Sequence, residues 1–159
     1  MLIQKAKASG IDSIICDHHN IEKKPEACAI LNPKQKDCKY PFKQLSACGI
    51  AFKLIHALSI EYDLNIDELV YNQLDLVCMS IACDLVPVVE ENRIMAHYGL
   101  QRLNNMPNNG VKKLISMINI DSAIDLDVLL FKIGPVLNAG GRIGPVSYTH
   151  LTLPTILRV

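Results

Sequence analysis

No two of the six cysteines (Cys16, Cys28, Cys38, Cys48, Cys78, Cys83) stand at Cys-x-x-Cys spacing, so a zinc site or a disulfide framework is not expected. Several lie in apolar runs, where buried free thiols are the ordinary outcome. Net charge is missing too, because 16 basic residues balance 16 acidic ones. That removes any whole-chain argument for nucleic-acid binding, although a local basic patch would escape such a sum. No uninterrupted apolar run approaches the ~18 residues of a membrane span. The opening Met1-Leu2-Ile3-Gln4-Lys5-Ala6-Lys7 lacks the extended apolar segment of a secretory signal. A cytoplasmic protein without a membrane partner is expected. What remains is 159 residues, half of them apolar and 20% charged. That is material for one domain, or one domain and part of another, around a real core.

The chain is organised around Ile14-Ile15-Cys16-Asp17-His18-His19. A short apolar run that ends in Asp-His-His reads as a central parallel strand delivering polar, metal-capable groups at its carboxyl end, where open α/β sheets bind ligands. A bare Asp-His-His in a solvated loop would read the same way locally, so the neighbouring segments must decide. Ahead of it, residues 1–9 have helical amphipathicity and Gly10 supplies a stop. The strand is predicted over Asp12–Asp17 and a second one over Ala27–Leu31, with turn chemistry from Asn32 to Asp37.

Helical spacing of Leu45, Ile50, Phe52, Leu54, Ile55 and Leu58 predicts a helix from Lys43 to about Glu61. Gly49 costs that helix about 1 kcal/mol relative to alanine; it either admits close backbone approach or is simply tolerated. A strongly apolar helix is predicted over Asp67–Cys83, closed by Asp84-Leu85-Val86-Pro87. Two readings stand at Asp84: a carboxylate buried against a partner or cation, or a solvent-facing C-terminal cap. Glu91–Asn105 reads as a helix bridging solvent between domains, on Ile94, Met95, Tyr98, Leu100 and Leu103, and Val111–Ile118 as another. His56 and His97 fall on helical patterns as ordinary surface or interface histidines. The glycine-rich Ile133–Gly144, with Asn138 and Arg142, reads as a loop offering amides and a guanidinium to an anion, or as a plain turn.

Taken together, Ile15-Cys16-Asp17-His18-His19, Ile30-Leu31-Asn32-Pro33-Lys34-Gln35, Tyr40-Pro41-Phe42-Lys43-Gln44-Leu45, Gly49-Ile50-Ala51-Phe52-Lys53-Leu54, Ala82-Cys83-Asp84-Leu85-Val86-Pro87 and Gly134-Pro135-Val136-Leu137-Asn138-Ala139-Gly140-Gly141-Arg142 resemble the RecJ branch of the DHH phosphoesterase superfamily. The resemblance spans roughly residues 1–144. It implies an α/β fold: the C-terminal part of a DHH-type parallel-sheet domain (1–90), a helical connector (91–118) and the start of a second α/β domain (119–145). It also implies a two-metal phosphodiesterase using Mn2+ or Mg2+, which degrades single-stranded DNA from its 5′ end in repair and recombination. Other DNA-repair proteins are the further partners it suggests.

By the same resemblance His18 and Asp84 are metal ligands, which favours the buried reading of Asp84. His19 contacts the scissile phosphate, Asp17 orients the histidines, and Asn138 and Arg142 face the nucleic acid. The family's Asp-x-Asp ligand motif and a further aspartate lie upstream of the segment matching residue 1. Met1 therefore looks like an internal start, and this chain by itself is expected to be a very poor nuclease. Residues 146–159 depart from the pattern and resemble a translated sequencing adapter, a non-native tail. The competing functions are another DHH phosphoesterase, acting on oligonucleotides, cyclic dinucleotides or pyrophosphate, and an inactive nucleic-acid-binding module.

Overall fold

Four polar residues set the helix starts. Ser46, Asn65, Asn108 and Asp125 each turn a side-chain oxygen back onto an amide of the following turn, accepting from Gly49, Glu68, Gly110 and Val128. The elements they organise are seen in a computed structural model that describes residues 2–21 and 24–140. Helix α1 (Leu2–Ala8) leads into strand β1 (Ile14–Cys16), which pairs in parallel with β2 (Ala29–Leu31) in the register Ile14–Ala29, Ile15–Ile30, Cys16–Leu31. Helices α2 (Ala47–Glu61), α3 (Ile66–Leu69), α4 (Leu74–Cys83), α5 (Glu90–Asn105) and α6 (Asn109–Met117) follow. Last comes a continuous helical stretch of α7 (Leu126–Val128), a π-turn (Leu129–Ile133) and α8 (Gly134–Gly140). This mixed architecture, with its parallel strand pair, agrees with the expected fold class.

Helix α2 begins four residues later than the periodicity suggests, because Ser46 caps it. Leu45 before the cap and Ile50 inside the helix are both buried, the arrangement of a hydrophobic staple. The helix expected over Asp67–Cys83 is divided by a 3-10 turn at Tyr71–Gln73, where buried Val70 redirects the chain into the core. Asp75 then lies fully buried at the start of α4, accepting from the Leu76 and Asn108 amides. The bond from Asn108 ties the α5–α6 turn to α4. Of the six cysteines Cys78 is the buried one, whereas Cys28 and Cys48 are exposed. Burial, and after it the Asp75 carboxylate, push the Cys78 thiol up to about 12.

Helix α5 is not the solvent-bridging element that its sequence suggests. It packs along α4 through Met95, Ala96, Gly99 and Leu103, while the apolar Ile94 and Tyr98 are 57% and 52% exposed. The small residues decide this face. A β-carbon on Gly99 would lie 2.4 Å from the Leu74 carbonyl oxygen and 2.5 Å from the Cys78 β-carbon, so only glycine permits this crossing.

The glycine-rich stretch is likewise helical as far as Gly140 rather than a loop. Leu129 and Ile133 are fully buried against α4, and this packing outweighs the low helix propensity of glycine. Pro135 has no N–H to donate, and the wider π-turn before it takes up the interruption. Arg142, with residues 141–159 generally, lies outside the described residues. No described helix is long and apolar enough to cross a membrane.

Candidate metal centre

Strand β1 ends at Cys16, and the next three residues fold back on the Asp17 carboxylate. Asp17 Oδ1 accepts from the amides of His18 (2.8 Å) and His19 (3.3 Å), and it lies 2.7 Å from His19 Nδ1. Burial acts to raise the Asp17 pKa, but the ring bond from His19, the two amides and the charge of His19 hold the carboxyl below its ordinary range. Facing an ionised carboxylate, Nδ1 bonds by donating, which leaves His19 Nε2 at the outer end of a ring that is 76% exposed. Asn32, buried at the end of β2, donates to the His19 carbonyl at 2.9 Å and accepts from the Lys34 amide. Gln35 donates to the Ile30 carbonyl. The Asn-Pro-Lys-Gln segment thus braces the ends of both strands.

Asp84 arrives from another direction. It is the C-cap of α4, where the Leu85 amide reaches the Ala82 carbonyl and the Val86 amide reaches that of Ile81, with Leu85 at φ +53°. Asp84 thus caps the helix while its carboxylate turns inward to the start of α2. Asp84 Oδ2 accepts from the Ala47 amide (3.1 Å) and the Ser80 hydroxyl (2.9 Å), and lies 3.8 Å from His18 Nε2. His18 is 12% exposed and Asp84 26%. Two donors at ~2.1 Å from one octahedral cation are about 3.0 Å apart when adjacent and about 4.2 Å when opposite. The observed separation lies between those limits.

The structure brings together Asp17, His18, His19 and Asp84. Asp17 touches the His18 backbone and the His19 ring, so its side-chain contact is with His19. Asn138 is exposed on α8 and shares no hydrogen bond with this group. Among the described residues no cluster of three or more His, Cys, Asp or Glu side chains is placed to hold a metal ion; His18 and Asp84 approach as a pair. A cavity of about 390 Å3, lined by Ile15, Asp17, Asn20, Ile21, Pro25, Ile30 and Asn32, opens beside the strand ends. The larger apolar groove, about 640 Å3, runs between α2 and α5 and touches none of the four residues. There His56 is half-buried between Phe52 and Tyr71, while His97 is exposed on α5.

Sequence reasoning missed Ser80 and the buried Asn92. Ser80 stands four residues before Asp84 on the same helix, a spacing that places both on one face. Asn92 donates to the carbonyls of Gln44 (2.7 Å) and Pro87 (2.9 Å), joining the segment before α2 to the segment after Asp84. Beside it, Tyr40 donates to both Glu91 oxygens, and Lys53 pairs with the same carboxylate. Burial, then the bond and charge of Glu91, raise the Tyr40 pKa and keep it a donor.

A parallel strand pair that delivers Asp-His-His at its carboxyl end, and receives an aspartate from a helix end, defines an α/β protein with imidazole and carboxylate donors converging at one sheet edge. More particularly, the chain belongs to the DHH family, whose N-terminal domain matches residues 1–81. It is 44% identical over 140 residues to the single-stranded-DNA-specific exonuclease RecJ of Bacillus subtilis (strain 168), covering 87% of this chain and 17% of that protein. With RecJ of Escherichia coli (strain K12) it shares 34% identity over 157 residues, 91% of this chain and 27% of the relative. The chain thus spans about a quarter or less of the length of these relatives. A crystal structure of exonuclease RecJ bound to manganese has the same fold, with TM-score 0.74, 24% identity, and 95% of this chain and 37% of that one covered. RecJ from Thermus thermophilus in complex with Mn2+ superimposes with TM-score 0.71 at 23% identity, over 89% of this chain and 21% of that one.

Proposed function

We propose that the chain is part of a metal-dependent phosphodiesterase that degrades single-stranded DNA from the 5′ end in repair and recombination, in the cytoplasm. The observation that carries this is the approach of His18 Nε2 to Asp84 Oδ2 at 3.8 Å, across a sequence separation of 66 residues, in a chain of the DHH family. The donor set fits Mn2+ or Mg2+: one imidazole nitrogen and one carboxylate oxygen suit such cations, which take their other positions from water or further oxygens. A bound cation would polarise a phosphate oxygen and lower the pKa of a coordinated water.

The chain's own residues do the rest. His18 and Asp84 hold the ion. Asp17 fixes the His19 ring through Nδ1, so that Nε2, when it carries a proton as well, can donate to a non-bridging phosphate oxygen. In this reading Asn138 and Arg142 contact the nucleic acid. Because the described residues supply two cation donors, the 159-residue chain by itself holds one ion weakly and cleaves poorly.

The test is a Mn2+ titration followed by electron paramagnetic resonance, on the wild type, His18→Ala and Asp84→Asn. Each substitution should abolish the bound signal with little change in thermal midpoint; variants that bind like the wild type would refute the assignment. Release of nucleotides from 5′-labelled single-stranded DNA is then compared with turnover of a cyclic dinucleotide and of pyrophosphate, which separates the other DHH activities. The donor count favours one further reading, nucleic-acid binding without cleavage. Retention of single-stranded DNA with no Mn2+-dependent release, even in a chain extended upstream to the family's Asp-x-Asp motif, would select it.

A further inference from the structure

The first turn of α2 has no amide left for an outside ligand. Ala47 N–H goes to Asp84 Oδ2, Cys48 N–H to Ser80 Oγ at 3.3 Å, and Gly49 N–H to Ser46 Oγ at 3.1 Å. Helix N-termini commonly attract anions, and here the anion is the protein's own carboxylate. Ser80 sits at the centre of the arrangement. A hydroxyl has one proton to donate and two lone pairs. With the Cys48 amide on one lone pair, the proton is directed to Asp84 Oδ2 at 2.9 Å. Oδ2 thus has two fixed donors, from α2 and α4, whereas Oδ1 accepts from no protein group among the described residues. Because α4 ends at Asp84, Ser80 and Asp84 share its last turn, and the Asp84 amide bonds to the Ser80 carbonyl at 2.8 Å.

We propose that Ser80 is a positioning residue for Asp84: with the Ala47 amide it locks the Oδ2 edge of the carboxylate and fixes the direction in which the group faces His18 and a cation. The proposal rests on the reading of His18 and Asp84 as cation ligands. Ser80 itself touches no cation. Its effect is the one that hydrogen-bonding partners of metal ligands generally have, about 10–100-fold in metal affinity. Neither composition nor the strand-end motif pointed to it.

The experiment uses the whole 159-residue chain with Ser80→Thr and Ser80→Val, a pair of equal shape that differs by the hydroxyl, so a packing or folding effect of the branched side chain is common to both. Mn2+ affinity is read by electron paramagnetic resonance. In the metal-free protein, NMR follows hydrogen exchange of the Ala47 and Cys48 amides and the Asp84 carboxyl carbon shift. The Thr variant should match the wild type. The Val variant should bind Mn2+ about 10–100-fold more weakly, exchange the Cys48 amide faster and shift the Asp84 signal. Equal Mn2+ affinity of the Thr and Val variants would overturn the proposal. If the wild type itself shows no Mn2+ binding that His18→Ala removes, the cation reading has failed. The metal-free measurements then decide whether Ser80 holds Asp84, and identical exchange and carbon shift in the two variants would overturn that part as well.

Discussion

Adding one methyl group at Gly99 is the perturbation to which this fold should respond most clearly. The β-carbon would stand 2.4 Å from the Leu74 carbonyl oxygen and 2.5 Å from the Cys78 β-carbon. Ordinary contacts lie at about 3.5 Å, so α4 and α5 would have to separate by about 1 Å at their crossing. Neither obstacle is the far end of a flexible side chain; one is backbone and the other a β-carbon of a fully buried residue. A gap of that size forfeits roughly a quarter to a half of the dispersion energy of the atom pairs across it, and here these involve Met95, Ala96 and Leu103 on α5 facing α4. Overpacking costs about 1–3 kcal/mol, and two rigid obstacles put this site in the upper part of that range, about 2–3 kcal/mol, against about 1 kcal/mol gained by alanine over glycine in a helix. The expected net loss for Gly99→Ala is therefore about 1–2 kcal/mol. With a urea m-value of about 2 kcal/mol/M, the midpoint should fall by about 0.5–1 M. An unchanged or higher midpoint with the same m-value would show that the crossing is looser than described and that helix propensity wins.

Two further perturbations bear on the candidate centre. Leu85→Gly should raise stability by up to about 1 kcal/mol, because a 73% exposed leucine at φ +53° carries a left-handed penalty that glycine avoids; a lower thermal midpoint would contradict this. The Asp17 carboxyl is held below its unfolded value of about 3.9, so its contribution to stability is present above that pH and is lost as pH falls through the lower folded value. Stability measured by chemical denaturation should therefore fall more steeply below about pH 4 in the wild type than in Asp17→Asn. Parallel acid limbs would show that the carboxylate and the His19 ring are uncoupled.

Local order was legible in the sequence to the extent that local chemistry imposes it. The apolar run Ile14–Cys16 and its polar end make a strand that stops at a site, Pro87 ends the chain's most apolar segment, and alternation and helical spacing place the elements to within a few residues. The pattern also marked Asp17, His18, His19 and Asp84. It also placed His18 and Asp84 near each other, since both lie where an apolar element ends, but the 3.8 Å approach depends on how the last turn of α4 meets the first turn of α2. The packing of α5 was not legible because small residues carry it: Ala96 and Gly99 form its buried seam, while the larger Ile94 and Tyr98 face outward. Hydrophobic size suggests what can be buried, but the closest helix approach falls where side chains are smallest. The glycine-rich stretch was misjudged for a related reason, since Leu129 and Ile133 are anchored on α4 and the packed core dictates a helix where the residues themselves favour a turn. Sequence by itself determined which groups end each element and what chemistry they carry. Tertiary structure alone decided how closely those groups meet, because a hydrogen bond such as that from the Ala47 amide to Asp84 needs distant backbone segments held at a fixed separation by the core.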